Sequence, residues 1–293
     1  MKKRAKKKRV LITGCSSGFG LLTAVGAAKA GFEVIATMRN LQKSEHLKQA
    51  LKKAKVEAII DELDVTKPED IERIAAKYSP VDILVNNAGI LMGGSFLSIT
   101  DTEARSVFET DYFGAVAMTR AFVPAMIKQK DGMIINVASL AGRVGHMFNS
   151  AYGAAKHAMV GFSRSIQLEL RPFNIKVVSV EPGYHKTEVI RNNAKLSENF
   201  YDKESPMFEW NRAFLQLMFK EVVPRVDDPR KVADKIVKIM QMSRPKEHYL
   251  IGKDAILATM IQWFKLGGLL QWFVYGKLRN NTKRHKKRLK KNK

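Results

Sequence analysis

At 293 residues the chain is long enough to bury a full core as one α/β domain, and length alone does not demand two. Its single cysteine, Cys15, excludes an internal disulfide and fits a reducing compartment. The net charge of +23 is concentrated at the ends: residues 1–9 hold seven Lys/Arg and residues 277–293 hold ten, neither with an acid, so these tails carry 17 charges and leave +6 for the body.

Charge runs of this kind give only non-specific, salt-sensitive attachment to nucleic acid, and no reading motif accompanies them; no specific nucleic-acid partner is expected. The basic start runs into Val10-Leu11-Ile12-Thr13-Gly14. That apolar stretch is too short for the roughly 7–15-residue core of a secretory signal, so a cytoplasmic protein is expected.

From residue 9 onward, short Val/Ile/Leu runs alternate with longer amphipathic ones. Strands are predicted at 9–13, 33–38, 56–63, 82–85, 133–138, 176–180 and 248–251, and helices at 18–30, 41–53, 68–77, 101–128, 151–170 and 229–242. Continuous apolar strands joined through helices predict a doubly wound parallel sheet, Rossmann-type, of about seven strands. The expected layout is a basic tail over 1–8, one domain over 9–252 and an extension over 253–293. Within the domain, 187–224 is polar, rich in Asn, Glu and Phe, and follows a strand's carboxyl end. That is where ligands bind in such sheets, so the segment is expected to be a peripheral, helical, substrate-side lid.

The first strand meets the first helix through Thr13-Gly14-Cys15-Ser16-Ser17-Gly18-Phe19-Gly20. Gly14 suits a tight turn, Gly18 a close backbone approach to a pyrophosphate, and Gly20 close packing of helix on strand. The helix N-terminus offers its N–H groups to phosphates. At the end of the second strand, Thr37-Met38-Arg39-Asn40 lacks the acid that would bind a ribose 2′-OH. Arg39, helped by Lys43, instead suits a 2′-phosphate, which favours NADP(H) over NAD(H); a solvated surface arginine is the alternative. Asp64, followed by Val65 at the close of the third strand, is placed to meet an adenine amino group.

Tyr152-Gly-Ala-Ala-Lys156 puts a phenol and an ammonium on one helix face, with Ser139 thirteen residues upstream. A phenol titrates near ~10, and a neighbouring ammonium favours its phenolate, bringing it toward general acid/base work. Ser139 would hydrogen-bond the substrate oxygen. Tyr249-Leu-Ile-Gly-Lys253 has the same spacing but lies in a strand-like run and lacks the serine.

These pieces stand in the order of the short-chain dehydrogenase/reductase family, whose compact NAD(P)-dependent form the chain resembles from residue 9 to about 252. The glycine motif matches Thr13-Gly14 through Gly18-Phe19-Gly20, and the family's Asn-Asn-Ala-Gly is Asn86-Asn87-Ala88-Gly89. Ser139, Tyr152 and Lys156 take the catalytic positions. Pro182-Gly183 takes the place beside the nicotinamide and Thr187 that of the carboxamide ligand. The resemblance implies hydride transfer between nicotinamide and a carbonyl carbon, with Tyr152 moving the proton and Lys156 also reaching the nicotinamide ribose. It implies cofactor contacts from Gly14, Ser16, Ser17, Gly18, Phe19, Gly20, Arg39, Asp64, Val65, Asn86, Ala88, Gly89, Tyr152, Lys156, Pro182, Gly183 and Thr187. It also implies a dimer or tetramer. Ala88-Gly89-Ile90, Phe113-Gly114 and Glu181-Pro182-Gly183-Tyr184 look like the branch acting on steroids, retinoids and other lipophilic alcohols or ketones.

One position departs from the pattern. The fourth catalytic residue of the family is usually Asn, and here it is Asp111. A carboxylate beside Lys156 would hold the ammonium protonated while partly neutralising its pull on Tyr152. The resulting alternatives are an oxidoreductase with a shifted pH optimum and a catalytically weakened nucleotide-binding protein acting as a sensor.

Leu91, Met92, Phe96, Val144, His146, Met147, Phe148 and Tyr184 are candidate pocket walls, with Phe200, Phe208, Trp210 and Phe214 from the lid. No His/Cys/Asp cluster has metal-ligand spacing, so no metal is expected. Residues 255–278 are apolar and aromatic but interrupted by Gln262, Lys265, Gly267-Gly268 and Gln271, which reads as an amphipathic segment rather than a span. With the polybasic tail it suits an anionic membrane surface; packing against the fold or at a dimer contact is the alternative.

Overall fold

A computed structural model describes residues 7–186 and 195–264, together with 266, 268, 272 and 275–283. The described residues run in the order β1 (Arg9–Ile12), α1 (Gly18–Lys29), β2 (Glu33–Met38), α2 (Glu45–Ala54), β3 (Ile59–Glu62), α3 (Pro68–Tyr78), β4 (Ile83–Asn86), β5 (Met92–Gly93), α4 (Asp101–Phe108), α5 (Gly114–Gln129), β6 (Gly132–Val137), α6 (Ser150–Leu170), β7 (Ile175–Pro182), β8 (Lys195–Leu196), α7 (Phe208–Leu217), α8 (Arg230–Met240), β9 (His248–Ile251) and α9 (Lys253–Trp263).

Seven of the strands form one parallel sheet in the order β3-β2-β1-β4-β6-β7-β9, the doubly wound arrangement expected from the alternation. The strand order reverses between β1 and β4, which opens a crevice at their carboxyl ends. Apolar clusters cover both sheet faces. One centres on Val10, Ile12, Ala24, Val85, Ile135 and Ile236, the other on Leu11, Leu84, Phe122, Met126, Ile134 and Val177. Consecutive residues of β1 thus point into different layers, which is why every residue of the run must be apolar.

Local sequence accounts for the helix boundaries. Thr100 caps α4 with a full capping box: its hydroxyl accepts the Glu103 amide at 3.2 Å and the Glu103 carboxylate accepts the Thr100 amide at 3.0 Å. Pro68 opens α3, followed by Glu69 and Asp70 at the positive end of the helix dipole.

Two expectations need correction. The single helix expected over 101–128 is interrupted by a π-helical turn, Glu109–Phe113, between α4 and α5. A one-residue widening leaves the apolar stripe on both sides nearly in phase, so periodicity does not reveal it. The strand expected at 56–63 is shorter, Ile59–Glu62, because Lys55 ends α2 in a left-handed conformation (φ 54°) and Val56 packs as connection.

Segments beyond the sheet are tied to it. Of the segment expected as a lid, residues 187–194 lie outside the described residues; in the remainder, β8 pairs in parallel with β5. Asn211 of α7 donates to Ser98 Oγ and to the Phe200 carbonyl, both at 2.9 Å. The chain passes directly from β9 through Gly252 into α9, whose Ala255 is buried with Leu140 and Val144. Further on, residues 275–283 are helical, Leu278 is buried with Phe148 and Ala213, and Tyr275 stacks on Trp210. Among the described residues no helix is long and apolar enough to cross a membrane.

Candidate active site

Ser139 lies just past the carboxyl end of β6, where the chain turns over Leu140–Gly142. Its hydroxyl accepts the Ala141 amide at 3.1 Å. Gly142 lies against the Lys156 carbonyl so closely that a methyl group there would collide with it, which lays this turn on α6. Tyr152 and Lys156 occupy the first two turns of that helix. Lys156 Nζ stands 5.5 Å from the Tyr152 ring centroid and donates to the Val137 carbonyl at 3.2 Å. Ser139, Tyr152 and Lys156 therefore meet at the end of β6. The second pair does not: Tyr249 lies in β9 while Lys253 begins α9, and Tyr249 is covered by Lys235 instead.

Asp111 joins this group from the π-helical turn. Its Oδ2 lies 3.0 Å from Lys156 Nζ and its Oδ1 accepts the Ile90 amide at 2.7 Å. Both partners are buried. The carboxylate lies against Gly89, where a Cβ would come within 3.0 Å of it, so the last glycine of Asn86-Asn87-Ala88-Gly89 makes room for Asp111. Burial pulls the Lys156 ammonium down, but Asp111, with Tyr152 adding to it, outweighs that and holds it above the ordinary range. Tyr152 is held above its usual value, first by burial and further by the Asp111 charge, against the opposing pull of Lys156 and the Ser139 hydroxyl.

The glycine-lined crevice lies between β1 and β4. Gly14 adopts φ 72°, in the region that favours glycine, and a side chain on Gly20 would run into the Gly14 carbonyl and the Asn87 amide. Asn87 Nδ2 donates to the carbonyls of Thr13 at 2.8 Å and Gly14 at 3.2 Å, while Thr13 Oγ1 accepts the amides of Asn87 at 3.0 Å and Ala88 at 2.9 Å. The two motifs thus hold each other. Asn86 faces the other way: its amide donates to Asn136 Oδ1 at 2.9 Å and Thr119 Oγ1 at 3.1 Å, tying β4 to β6 and α5. Arg39 and Lys43 are exposed beyond β2, and Asp64 Oδ1 caps Thr66, with Val65 buried behind it. A cradle of glycine backbone, the start of α1 and an exposed arginine beyond β2 fit a dinucleotide.

Sequence reasoning missed two groups on the opposite wall. Asp254, from the first turn of α9, accepts the Tyr184 amide at 2.7 Å and fills the space beside Gly183. Burial, with Asp254 and Tyr152 adding to it, pushes the Tyr184 phenol up to about 12. His146 meets Tyr184 edge to face at 5.9 Å and is held below its usual value by burial, with Asp254 opposing. Behind this wall Arg143 forks onto the fully buried Glu181 at 2.6 and 3.0 Å, and Ser179 adds a third contact at 2.9 Å. The only signals in the sequence were an acid inside the Glu181-Pro182-Gly183 motif and an acid at a helix start. Thr187 lies outside the described residues.

Of the expected pocket residues, Phe200 is completely buried and packs on Tyr201, and Phe148 stacks on Phe214 at 4.5 Å. These rings hold the lid together; an aromatic at helical spacing does not announce whether it faces a cavity or a core. Phe96 and Met147 are exposed. Among the described residues no three His, Cys, Asp or Glu side chains gather so as to hold a metal ion.

The chain's likenesses agree with this geometry. The family profile described as short chain dehydrogenase matches residues 8–197. An uncharacterized oxidoreductase of Bacillus subtilis, YusZ, is 35% identical over 87% of this chain and 93% of its own length. Retinol dehydrogenase 8 of Bos taurus is 35% identical over 81% of this chain and 79% of its own. Among solved structures, a short-chain dehydrogenase from Streptomyces avermitilis superposes with a TM-score of 0.78 at 32% identity, covering 94% of this chain and 98% of that one. A variant of actinorhodin polyketide ketoreductase, solved with NADPH, gives a TM-score of 0.70 at 29% identity over 84% of this chain and 95% of that one. Sheet order, glycine crevice and the Ser139–Tyr152–Lys156 group thus have one common source: this chain belongs to the short-chain dehydrogenase/reductase family.

Proposed function

We propose that the protein is an NADP(H)-dependent oxidoreductase that interconverts an alcohol and a ketone or aldehyde on a lipophilic substrate, with Tyr152 as general acid/base. One observation carries the reading: a phenol, a protonated lysine and a serine hydroxyl meet at the end of β6, beside the glycine crevice. Gly14, Ser16, Ser17, Gly18, Phe19 and Gly20 would hold the pyrophosphate end, Arg39 a 2′-phosphate, Asp64 and Val65 the adenine. Ala88, Gly89, Lys156, Pro182 and Gly183 would line the nicotinamide half. When bound, the cofactor supplies or accepts the hydride.

The chain's residues do the rest. Ser139 orients the substrate oxygen and stabilises charge as it develops there. In the reducing direction Tyr152 gives its proton to that oxygen, and in the oxidising direction its phenolate takes the proton away. Lys156 stabilises the phenolate, while Asp111 keeps Lys156 charged and partly cancels its effect on Tyr152. The lipophilic class is supported by the retinol dehydrogenase relative. A second copy of the chain belongs to this reading, because Phe113 beside α5 and Leu168 on α6 expose apolar surface.

The decisive experiment follows NADPH and NADH consumption across a panel of lipophilic ketones and aldehydes. Turnover with NADPH preferred is expected, and its absence with every substrate would leave the second reading. In that reading the Asp111 carboxylate has weakened catalysis and the protein binds nucleotide as a sensor.

A further inference from the structure

Helix α9 has two unlike sides. Its inner side is fixed to the body through buried Ala255, packed with Leu140 and Val144, and through the Asp254 bond to the Tyr184 amide. Its outer side carries Ile256, Leu257, Met260 and Trp263, followed by Phe264. Leu257 is 60% exposed, Trp263 78% and Phe264 58%. The positions 256, 257, 260, 263 and 264 fall on one face of a helix, and no charged residue lies between 255 and 264. Isolated apolar residues on a surface are ordinary, but a contiguous stripe ending in Trp-Phe marks a contact surface.

Charge selects the partner. Residues 277–293 carry ten Lys/Arg and residues 1–9 carry seven, with no acid in either. A second copy of the chain carries the same net charge of +23, so pressing it against this stripe sets like charge against like. A layer with apolar interior and negative surface complements both features, and Trp and Phe suit the level of lipid headgroups. We infer that the outer face of α9, with the polybasic carboxyl end, docks on an anionic lipid bilayer surface. The helix lies in the interface plane rather than crossing it. Its inner side rests on the turn after Ser139 and on the Gly183–Tyr184 bend, so the docked surface is rigidly connected to the active-site wall.

The test uses the full chain and vesicles of phosphatidylcholine, with and without phosphatidylglycerol. Co-sedimentation with the anionic vesicles at low salt is expected, with loss in high salt and little binding to phosphatidylcholine alone. Replacing both Leu257→Asp and Trp263→Asp, each exposed and outside the catalytic group, should lower the bound fraction about tenfold or more by removing the apolar term. The melting temperature of that double variant should match the wild type, which separates lost docking from lost folding. Wild-type protein left in the supernatant with anionic vesicles would overturn the proposal, as would a double variant that sediments like the wild type. Concentration-dependent dimerisation abolished by the same substitutions, without vesicle binding, would assign the face to a second copy. Retention on RNA without vesicle binding would assign the basic ends to a general polyanion. Vesicle binding is read without turnover, so it stands or falls apart from the proposed reaction.

Discussion

The Asp111 carboxylate lies 3.0 Å from the Lys156 ammonium, in a buried pocket closed by Gly89 and the Ile90 amide. The π-helical turn makes this possible by setting residue 111 inward from a helix that would otherwise run on. The negative charge raises Tyr152, whereas the Lys156 ammonium lowers it. Asp111→Asn removes the first influence, so the phenolate forms at lower pH. In kcat/KM profiles between about pH 6 and 10, the rising limb for alcohol oxidation and the falling limb for carbonyl reduction should both move to lower pH. Superimposable profiles would remove Asp111 from the mechanism.

Tyr152→Phe keeps the ring and deletes the proton. Loss of a placed acid/base typically costs about 10²–10⁴ in rate, and turnover should fall by at least that much. Dinucleotide affinity, read by fluorescence titration, should stay within about threefold because the glycine crevice is untouched. Near-normal turnover would reassign the proton donor.

Arg39→Asp tests cofactor choice. A carboxylate there accepts the ribose hydroxyl of NAD(H) and repels a 2′-phosphate. The ratio of kcat/KM for NADPH over NADH should fall by about tenfold or more, on the order of 1.4 kcal/mol. An unchanged ratio would return Arg39 to the solvent.

Gly20→Ala tests the crevice. The added methyl meets the Gly14 carbonyl and the Asn87 amide, so either the turn or the helix must shift. Overpacking of this kind costs about 1–3 kcal/mol, measurable by urea denaturation, and nucleotide affinity should fall with it. Full stability with full affinity would show that the loop has slack.

Asp254→Ala leaves the Tyr184 amide without its carboxylate partner. A bond of this type contributes ~1.5–3 kcal/mol, and a loss of that order is expected in denaturant titrations. The Tyr184 phenol should titrate at lower pH in ultraviolet difference spectra, since Asp254 helps hold it up. An unmoved titration would place the charge elsewhere.

The parts of the site written in contiguous sequence were legible there. Gly14 to Gly20 is a strand–loop–helix junction, and Tyr152 with Lys156 needs only helical spacing. The parts that depend on distant pairing were not. Asp254 gains its role because β9 lies in register with β7, Pro182 opposite Ile251, which brings α9 to the Gly183 bend. The inward set of Asp111 follows from a widened turn whose flanks keep their apolar phase. Phe148 and Phe200 read as pocket walls, since an aromatic residue in a bend or a short turn does not show in sequence which of two apolar surroundings it meets. Asn86 shares a motif with Asn87, yet strand alternation sends their side chains to opposite sides of β4.

The Arg143–Glu181 fork carries a consequence for how such a protein changes over time. It clamps the serine turn to the strand that ends in Pro182-Gly183, and Asp254 clamps that bend to the next helix. Three pieces of one wall are thereby cross-braced, and a substitution in any of them is felt by the others. Residues 195–225, by contrast, carry the Asn211 anchor and the Phe148–Phe214 stack. Under the proposed function, in which this segment closes over the substrate, new substrates can be accommodated by redrawing it while the braced pieces stay in place. Related chains with different substrates should therefore differ first around α7 and last around Glu181.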